Sequence, residues 1–375
     1  MTATSNPAAH LSDEQVTELG RELDQVRADI VASRGASDAA YIRRVIAVQR
    51  GLEASSRAML LFSRNRVAWV LGTAGLTVAK CLENMEIGHN IMHGQWDWMR
   101  DEKIHSTSWE WDHASTSELW KHSHNELHHR YTNVIGRDND LGYGIMRVDE
   151  DQPWTKGLLL QPLWNFINAC FFEYGIAAYD LELTKNLRSR KRRRRPEFRR
   201  SVGKTLRKIG NQLTKDYLVH PALSGRNFRH TLTANLTANV LRNLWTHSVI
   251  MCGHFPEGVE TFTRSTIDGE TRGQWYLRQM LGSANISGSK LMHIMTGNLS
   301  HQVEHHLFPD LPSNRYAEVA ERVREICARY ELPYVTGSLP RQVASAWGQV
   351  IRLSLPNDFL ERHGLTERRP AALLA

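Results

Sequence analysis

Residues 120–133 read WKHSHNELHHRYTN, and four of these fourteen are histidine in a chain whose 375 residues hold only 18. Two more knots answer this one: GHNIMHGQW, with His89 and His93, and LSHQVEHHLFP, with His301, His305 and His306. A fold that uses all three must carry residues from both halves of the chain to one place. The remainder reads as the frame that does so.

The spacing within the knots names the chemistry. His89 and His93 stand i, i+4, so on a helix both imidazoles leave from one face. His124, His128 and His129 repeat that step and add a neighbour about 100° round the helix, and His301, His305 and His306 spell the same HxxxHH pattern. Imidazole is the commonest metal-ligating side chain at neutral pH, and eight such residues exceed what one ion needs. They predict a pair of transition metals, with iron, copper and zinc all open on ligand type.

Competing metal sites fare worse. No HExxH zinc-protease motif occurs, and Cys81, Cys170, Cys252 and Cys327 are scattered without a CxxC, which excludes thiolate sites and a disulfide framework. Glu86–His89 and Glu126–His129 spell ExxH, the signature of carboxylate-bridged di-iron bundles, but that reading leaves most of the histidines idle. His105, His113 and His122 fit neither spacing and read as structural. His122, inside the central knot, is also placed to orient a ligand by hydrogen bonding.

Periodicity predicts an all-α chain. Ser12 and Gln15 form a capping box ahead of an amphipathic helix, and helices follow at 41–62, 67–98, 162–183, 231–254, 281–306 and 317–330. The turn GRDNDLGYG follows the central knot, and Pro309 and Pro312 close the last inward helix. No pattern of a cleavable signal peptide opens the chain. Mean hydropathy is −0.45 and no run of about 20 apolar residues is clean. Stretches 67–79, 157–179, 231–255 and 281–300 come close, so pattern alone leaves core helices and membrane helices both open. The net charge of +7 is concentrated in residues 185–208. Such a run suits a solvated loop, an anionic membrane face or nucleic acid; nucleic acid is the least supported, because no base-reading module accompanies it.

The three knots resemble the three histidine boxes of the membrane fatty acid desaturase and hydroxylase superfamily. The strings GHNIMHGQWDWMRD, HHRYTN and GNLSHQVEHHLFPDLPSNRY are especially similar to those of actinobacterial acyl-CoA desaturases, over roughly residues 40–345. The resemblance implies an integral membrane bundle of about four transmembrane helices, in the bacterial plasma membrane, with a cytosolic helical cap that holds two irons. It implies a desaturase domain at 39–355 between an N-terminal helical leader at 1–38 and a C-terminal tail at 356–375. The metal ligands it implies are His89, His93, His124, His128, His129, His301, His305 and His306. A ninth, His247, follows from an Asn-x-x-x-His pattern on a further helix, where Asn243 acts through water; His254 is its rival. The third box also reads as QxEHH from Gln302. The i, i+4 step favours His301, with Gln302 alongside.

The expected reaction is O2-dependent desaturation of a long acyl chain, carried as acyl-CoA, in the lipid bilayer. Electrons are expected from a separate reductase or ferredoxin-type protein, since no HPGG haem motif is present. An alkane or lipid hydroxylase of the same superfamily, and a non-enzymatic metal-binding membrane protein, are the alternatives. Trp109, Trp111, Trp120 and Trp164 are expected along the acyl tunnel or at the membrane interface.

Overall fold

The computed structural model describes residues 7–138 and 140–366. Apart from one parallel pair of three-residue strands, it is helical. The ends of the expected leader and tail, residues 1–6 and 367–375, lie outside the described residues.

Helix α1 (Asp13–Ser33) opens on the capping box of Ser12 and Gln15. Its stripe of Leu19, Leu23, Val26 and Ile30 is almost fully buried. At roughly 1.5–3 kcal/mol for each such side chain, this seam fixes the helix to the body of the protein. It packs in one core with Val303, Leu307 and Phe308 of the third histidine knot, so α1 props the segment that carries it.

Helix α2 (Ala36–Leu60) lies antiparallel along α3 (Arg66–Leu82), which Asn65 caps by accepting from the amides of Val67 and Ala68. From Glu83 to His89 the helix widens into a π-helix before Asn90–Met92 completes it. Short α4 (Ser117–Trp120) does the same, running into a π-helix at Lys121–His128. Two of the three histidine knots thus sit on π-helical turns, a form common at functional sites. Gly88 shows why the first one is crowded: a Cβ there would stand 2.9 Å from both the Glu83 carbonyl oxygen and the Trp111 Cβ.

Helices α5 (Gln161–Cys170) and α6 (Phe172–Asp180) follow, then α7 (Pro196–Leu213), a third π-turn at Thr214–Val219, and the long α8 (Phe228–His254). Helix α8 packs against both α3 and α5 and ends at His254.

Where the sequence pattern predicts one helix over 281–306, the chain is broken. Helix α9 (Arg272–Leu281) stops at Gly282, strand β1 (Asn285–Ser287) pairs with β2 (Thr336–Ser338), and a short helical turn reaches the left-handed pair Gly297 and Asn298. Only then does α10 (Gln302–Leu307) begin. Helices α11 (Tyr316–Arg329) and α12 (Leu339–Leu353) follow, and a short helix at Asn357–Arg362 comes last among the described residues.

Among the described residues, no helix is long and apolar enough to cross a membrane. Helix α8 has the length, but it carries Asn235, Asn239, Arg242 and Asn243, all buried against the rest of the protein.

Candidate metal centre

Four segments converge on one buried place: the π-turns after α3 and α4, the C-terminus of α8, and α10. Two all-histidine groups of side chains have ligand atoms within 4.8 Å of one another, His89, His93, His124 and His305 in the first, His128, His254 and His306 in the second; His124 and His128 also form such a group with Asp140. The HH step of the third knot is divided between the two groups. His305 joins the first group and His306 the second, as a 100° offset requires. His129 stands between the groups, its ring centroid 4.7 Å from His93 and 4.4 Å from His306.

Hydrogen bonding on the far side of the rings sets what faces inward. His124 Nδ1 meets Asp140 Oδ2 at 2.7 Å, and His128 Nδ1 meets Asp138 Oδ1 at 2.9 Å. A carboxylate only accepts, so each Nδ1 carries the proton and each Nε2 presents a lone pair. Acceptors stand at the Nδ1 of four more: Asn90 Oδ1 for His89, the Gly282 carbonyl for His254, Tyr316 Oη for His305 and Gln279 Oε1 for His306. Tyr316 gives its own hydrogen to the Phe308 carbonyl, which leaves its oxygen to accept from His305. Six rings are therefore held in the tautomer that a metal requires.

The inward nitrogens fit an ion and little else. His93 Nε2, His305 Nε2 and both nitrogens of His129 are buried without a partner, a costly arrangement in an apolar interior. His89 Nε2 faces His124 Nε2 at 3.3 Å, and His306 Nε2 faces His254 Nε2 at 3.1 Å. Two lone pairs so placed repel, whereas two nitrogens bound at about 2.1 Å to one cation stand about this far apart. Burial first, and neighbouring imidazoles second, hold His129, His305 and His306 well below the usual histidine range, so they are neutral imidazoles, the form in which histidine can bind a metal. Burial also lowers His128, but Asp138 and Asp140 outweigh it and leave that ring raised.

The structure does not bring every expected residue here. His247 lies two turns from His254 along α8, about 10 Å by helical rise, where its Nε2 meets Asn165 Oδ1 at 3.0 Å. Asn243 is bonded to the Cys170 carbonyl and the Glu173 amide. His254, the rival, reaches the second group because it ends the helix at the level of the boxes. His301 also stands apart, tilted on His293 with ring centroids 4.5 Å apart. The left-handed turn at Gly297 and Asn298 places it ahead of α10, off the face that carries His305 and His306, so the i, i+4 step fails there. Gln302 takes the inward position and its Nε2 reaches His254 Nε2 at 3.0 Å. His122 is exposed and paired with Glu126. Glu86 is buried but satisfied by Tyr41, Asn298 and Ser313, so neither ExxH glutamate faces the centre. The acceptors Asp138 and Asp140 were not singled out from sequence; only their closeness to the knot, inside the GRDND turn, hinted at them.

Two spaces flank the histidines. A narrow enclosed chamber runs beside His89, His124, His128 and His254, walled by Trp111, Trp120, Phe172, Ile176, Ile250 and Leu299. Of the four tryptophans singled out, Trp111 and Trp120 line it, Trp109 is partly buried, and Trp164 is exposed on α5. On the other side an open cleft of about 1050 Å³ reaches His93 from solvent.

Residues 66–338 match the family model for fatty acid desaturase. The chain is 51% identical over 356 residues to the NADPH-dependent stearoyl-CoA 9-desaturase of Mycobacterium tuberculosis, covering 94% of this chain and 83% of that one. It is 24% identical over 270 residues to the sn-1 linoleoyl-lipid 6-desaturase of Synechocystis, covering 71% and 74%. The Delta(8)-fatty-acid desaturase of Euglena gracilis is 26% identical over 258 residues, covering 67% and 57%. The convergence of three histidine boxes around one apolar chamber and these likenesses have the same meaning: this chain belongs to the fatty acid desaturase family and is an oxidoreductase.

Proposed function

We propose that the protein is an acyl-CoA desaturase that introduces a C=C bond into a long acyl chain, with two irons held by the histidines above. The observation that carries this reading is the set of inward imidazole nitrogens, those of His93, His129 and His305 buried without a partner, beside an enclosed apolar chamber. A redox-active metal pair bound there supplies, with O2, the oxidant for an unactivated methylene, which no side chain provides. The overall change is RCH2CH2R + O2 + 2 electrons + 2 protons → RCH=CHR + 2 H2O. An external redox protein donates the electrons; NADPH is their ultimate source in the mycobacterial relative's name.

The chain's own residues do the positioning. Trp111, Phe172 and Ile176 offer apolar surface to a hydrocarbon segment and exclude water from it. Trp120, stacked 4.5 Å from His124 and set edge-on to His89, holds both rings in place. Asp138 and Asp140 keep the protons of His128 and His124 on Nδ1. The ligand set we propose is His89, His93, His124, His128, His129, His254, His305 and His306, with Gln302 bonded to His254.

Attachment to a bilayer is part of this reading. Val67, Val70 and Leu71 on α3, and Leu163, Trp164 and Phe166 on α5 with Phe171 just after it, are large, apolar and exposed, which in a folded protein marks an interaction surface. The basic run 185–208 supports a cytoplasmic position for the histidine cap, by the positive-inside bias. The test is lipid analysis of a desaturase-deficient host expressing the chain. A new monounsaturated acid, located by gas chromatography–mass spectrometry and absent with His128→Ala, is expected. Hydroxy acids in its place overturn the assignment.

A further inference from the structure

The molecule's charge is lopsided. Residues 185–208 hold thirteen Lys and Arg against the single Glu197, while the whole chain is only +7, so the remainder is net negative. Arg190 to Arg195 are all exposed, and α7 begins directly after them at Pro196. The sides of α7 are sorted in an unusual way. The side packed on the protein is polar: Thr205 is buried, Lys208 Nζ donates to the Ser115 carbonyl and pairs with Glu110, and Gln212 donates to Asp112. Phe198, Val202, Leu206, Ile209 and Leu213 share a neighbouring sector at helical spacing. Within it Leu206 is 63% exposed and Leu213 40%. Exposed apolar residues continue within the π-turn, at Leu218 and Val219, and beyond it at Leu223. Arg200, Lys204 and Arg207 occupy the sector opposite that apolar edge.

We infer that residues 188–223 form an in-plane membrane anchor that selects anionic phospholipid. The apolar edge of α7 enters the acyl boundary and the arginine cluster at 190–195 meets headgroup phosphates. The commitment to lipid rests on two features held together. An acidic protein partner would account for the charge alone, but would leave Leu206, Leu213 and Leu223 in water. A basic helix with one apolar edge is the pattern that lies in a bilayer interface, and each basic residue near an anionic surface strengthens attachment about fivefold. This inference rests on the bilayer attachment proposed above and adds the lipid class and the segment.

The test uses the full chain reconstituted in vesicles of phosphatidylcholine, with or without 30 mol% phosphatidylglycerol, carrying an environment-sensitive dye at Leu206→Cys. Flotation of the vesicles reports attachment of the whole protein separately from the dye. The expected result is a blue shift of the dye with phosphatidylglycerol that is lost at high salt. The shift should also fall at least tenfold in lipid affinity when Arg190, Arg192, Arg193 and Arg195 are changed to Gln. None of the four lines either space beside the histidines and all are exposed, so that variant is expected to keep its metal. Flotation with a dye that stays aqueous in both vesicles overturns the inference and leaves bilayer attachment standing. Failure to float with either vesicle overturns both. A dye blind to lipid but shifted by an acidic ferredoxin assigns the surface to a redox protein instead.

Discussion

The second and third histidine boxes are spelled alike and built differently. His124-x-x-x-His128-His129 lies on a continuous helical path, and all three rings reach the histidine cluster. His301-x-x-x-His305-His306 has the same letters, but the helix starts only at Gln302, and His301 leans on His293 instead. The place that His301 leaves is met from another element, by His254 at the end of α8 with Gln302 bonded to it. A ligand motif is thus a statement about backbone continuity as much as about spacing. Where the backbone breaks, the same residue types lose their common face.

The largest effects should separate the two boxes outright. His124→Ala removes a member of the first group, and activity should fall more than about 100-fold, beyond the range seen when only a ligand's orienting partner is lost. Iron per protein, measured by mass spectrometry of the purified enzyme, should fall with it. His301→Ala should keep both irons and most of its activity; loss of metal there would restore the i, i+4 reading of the third box. The same contrast holds on α8. His254→Ala should lose metal, whereas His247→Ala should keep it and cost about 1–3 kcal/mol of stability for the orphaned Asn165 partner. Metal loss on changing His247, with none on changing His254, would return the ninth ligand to the Asn-x-x-x-His pattern.

A smaller effect should come from behind the rings. Asp138 accepts from His128 Nδ1 and also from the amides of Asn133 and Asp140, so it fixes both the ring and the turn that carries it. Asp138→Asn should lower activity or metal affinity about 10-fold to 100-fold while the fold persists. Wild-type metal affinity by competition with a chelator would show that the second box needs no such support. The third box offers the control: His306 leans on the neutral Gln279, so Gln279→Ala should cost less than the loss of a carboxylate.

Much of this architecture was legible beforehand, for identifiable reasons. The capping box at Ser12 and Gln15 is a local device, and it forms as read. The three boxes announce themselves by density, and long helices such as 228–254 by their apolar pattern. What was hidden depends on contacts distant in sequence. His254 differs from His247 only in which turn of α8 reaches the boxes, a height set by how α8 packs on α3. The role of α1 under the third knot follows from tertiary burial, which its own amphipathic stripe does not reveal. The break before α10 did carry a signal, Gly297 followed by Asn298. Reading 281–306 as one helix gave apolar periodicity more weight than that turn pair.

That pair offers the finest test of the comparison. Gly297 has φ +70°, and a Cβ there would stand 2.6 Å from the Met85 carbonyl carbon, in the turn just ahead of the first histidine box. The turn thus packs directly on the helix that holds His89, and Asn90 Nδ2 donates to the Gly297 carbonyl at 3.1 Å. Asn298 is also left-handed, at φ 55°, which asparagine tolerates better than most residues. Gly297→Ala should therefore cost about 1–2 kcal/mol in backbone strain, plus whatever displacement of Met85 relieves the overlap. The expected readout is a lower melting temperature in detergent, with a modest loss of activity because the push falls on the backbone behind His89. Asn298→Gly keeps the backbone conformation but removes the amide that bonds Glu86, so it should lose stability without straining the turn. If Gly297→Ala melts as the wild type does, the turn is more pliable than a fixed break requires. The different construction of the two boxes would then have to rest on the contacts of Gln302 and His254 alone.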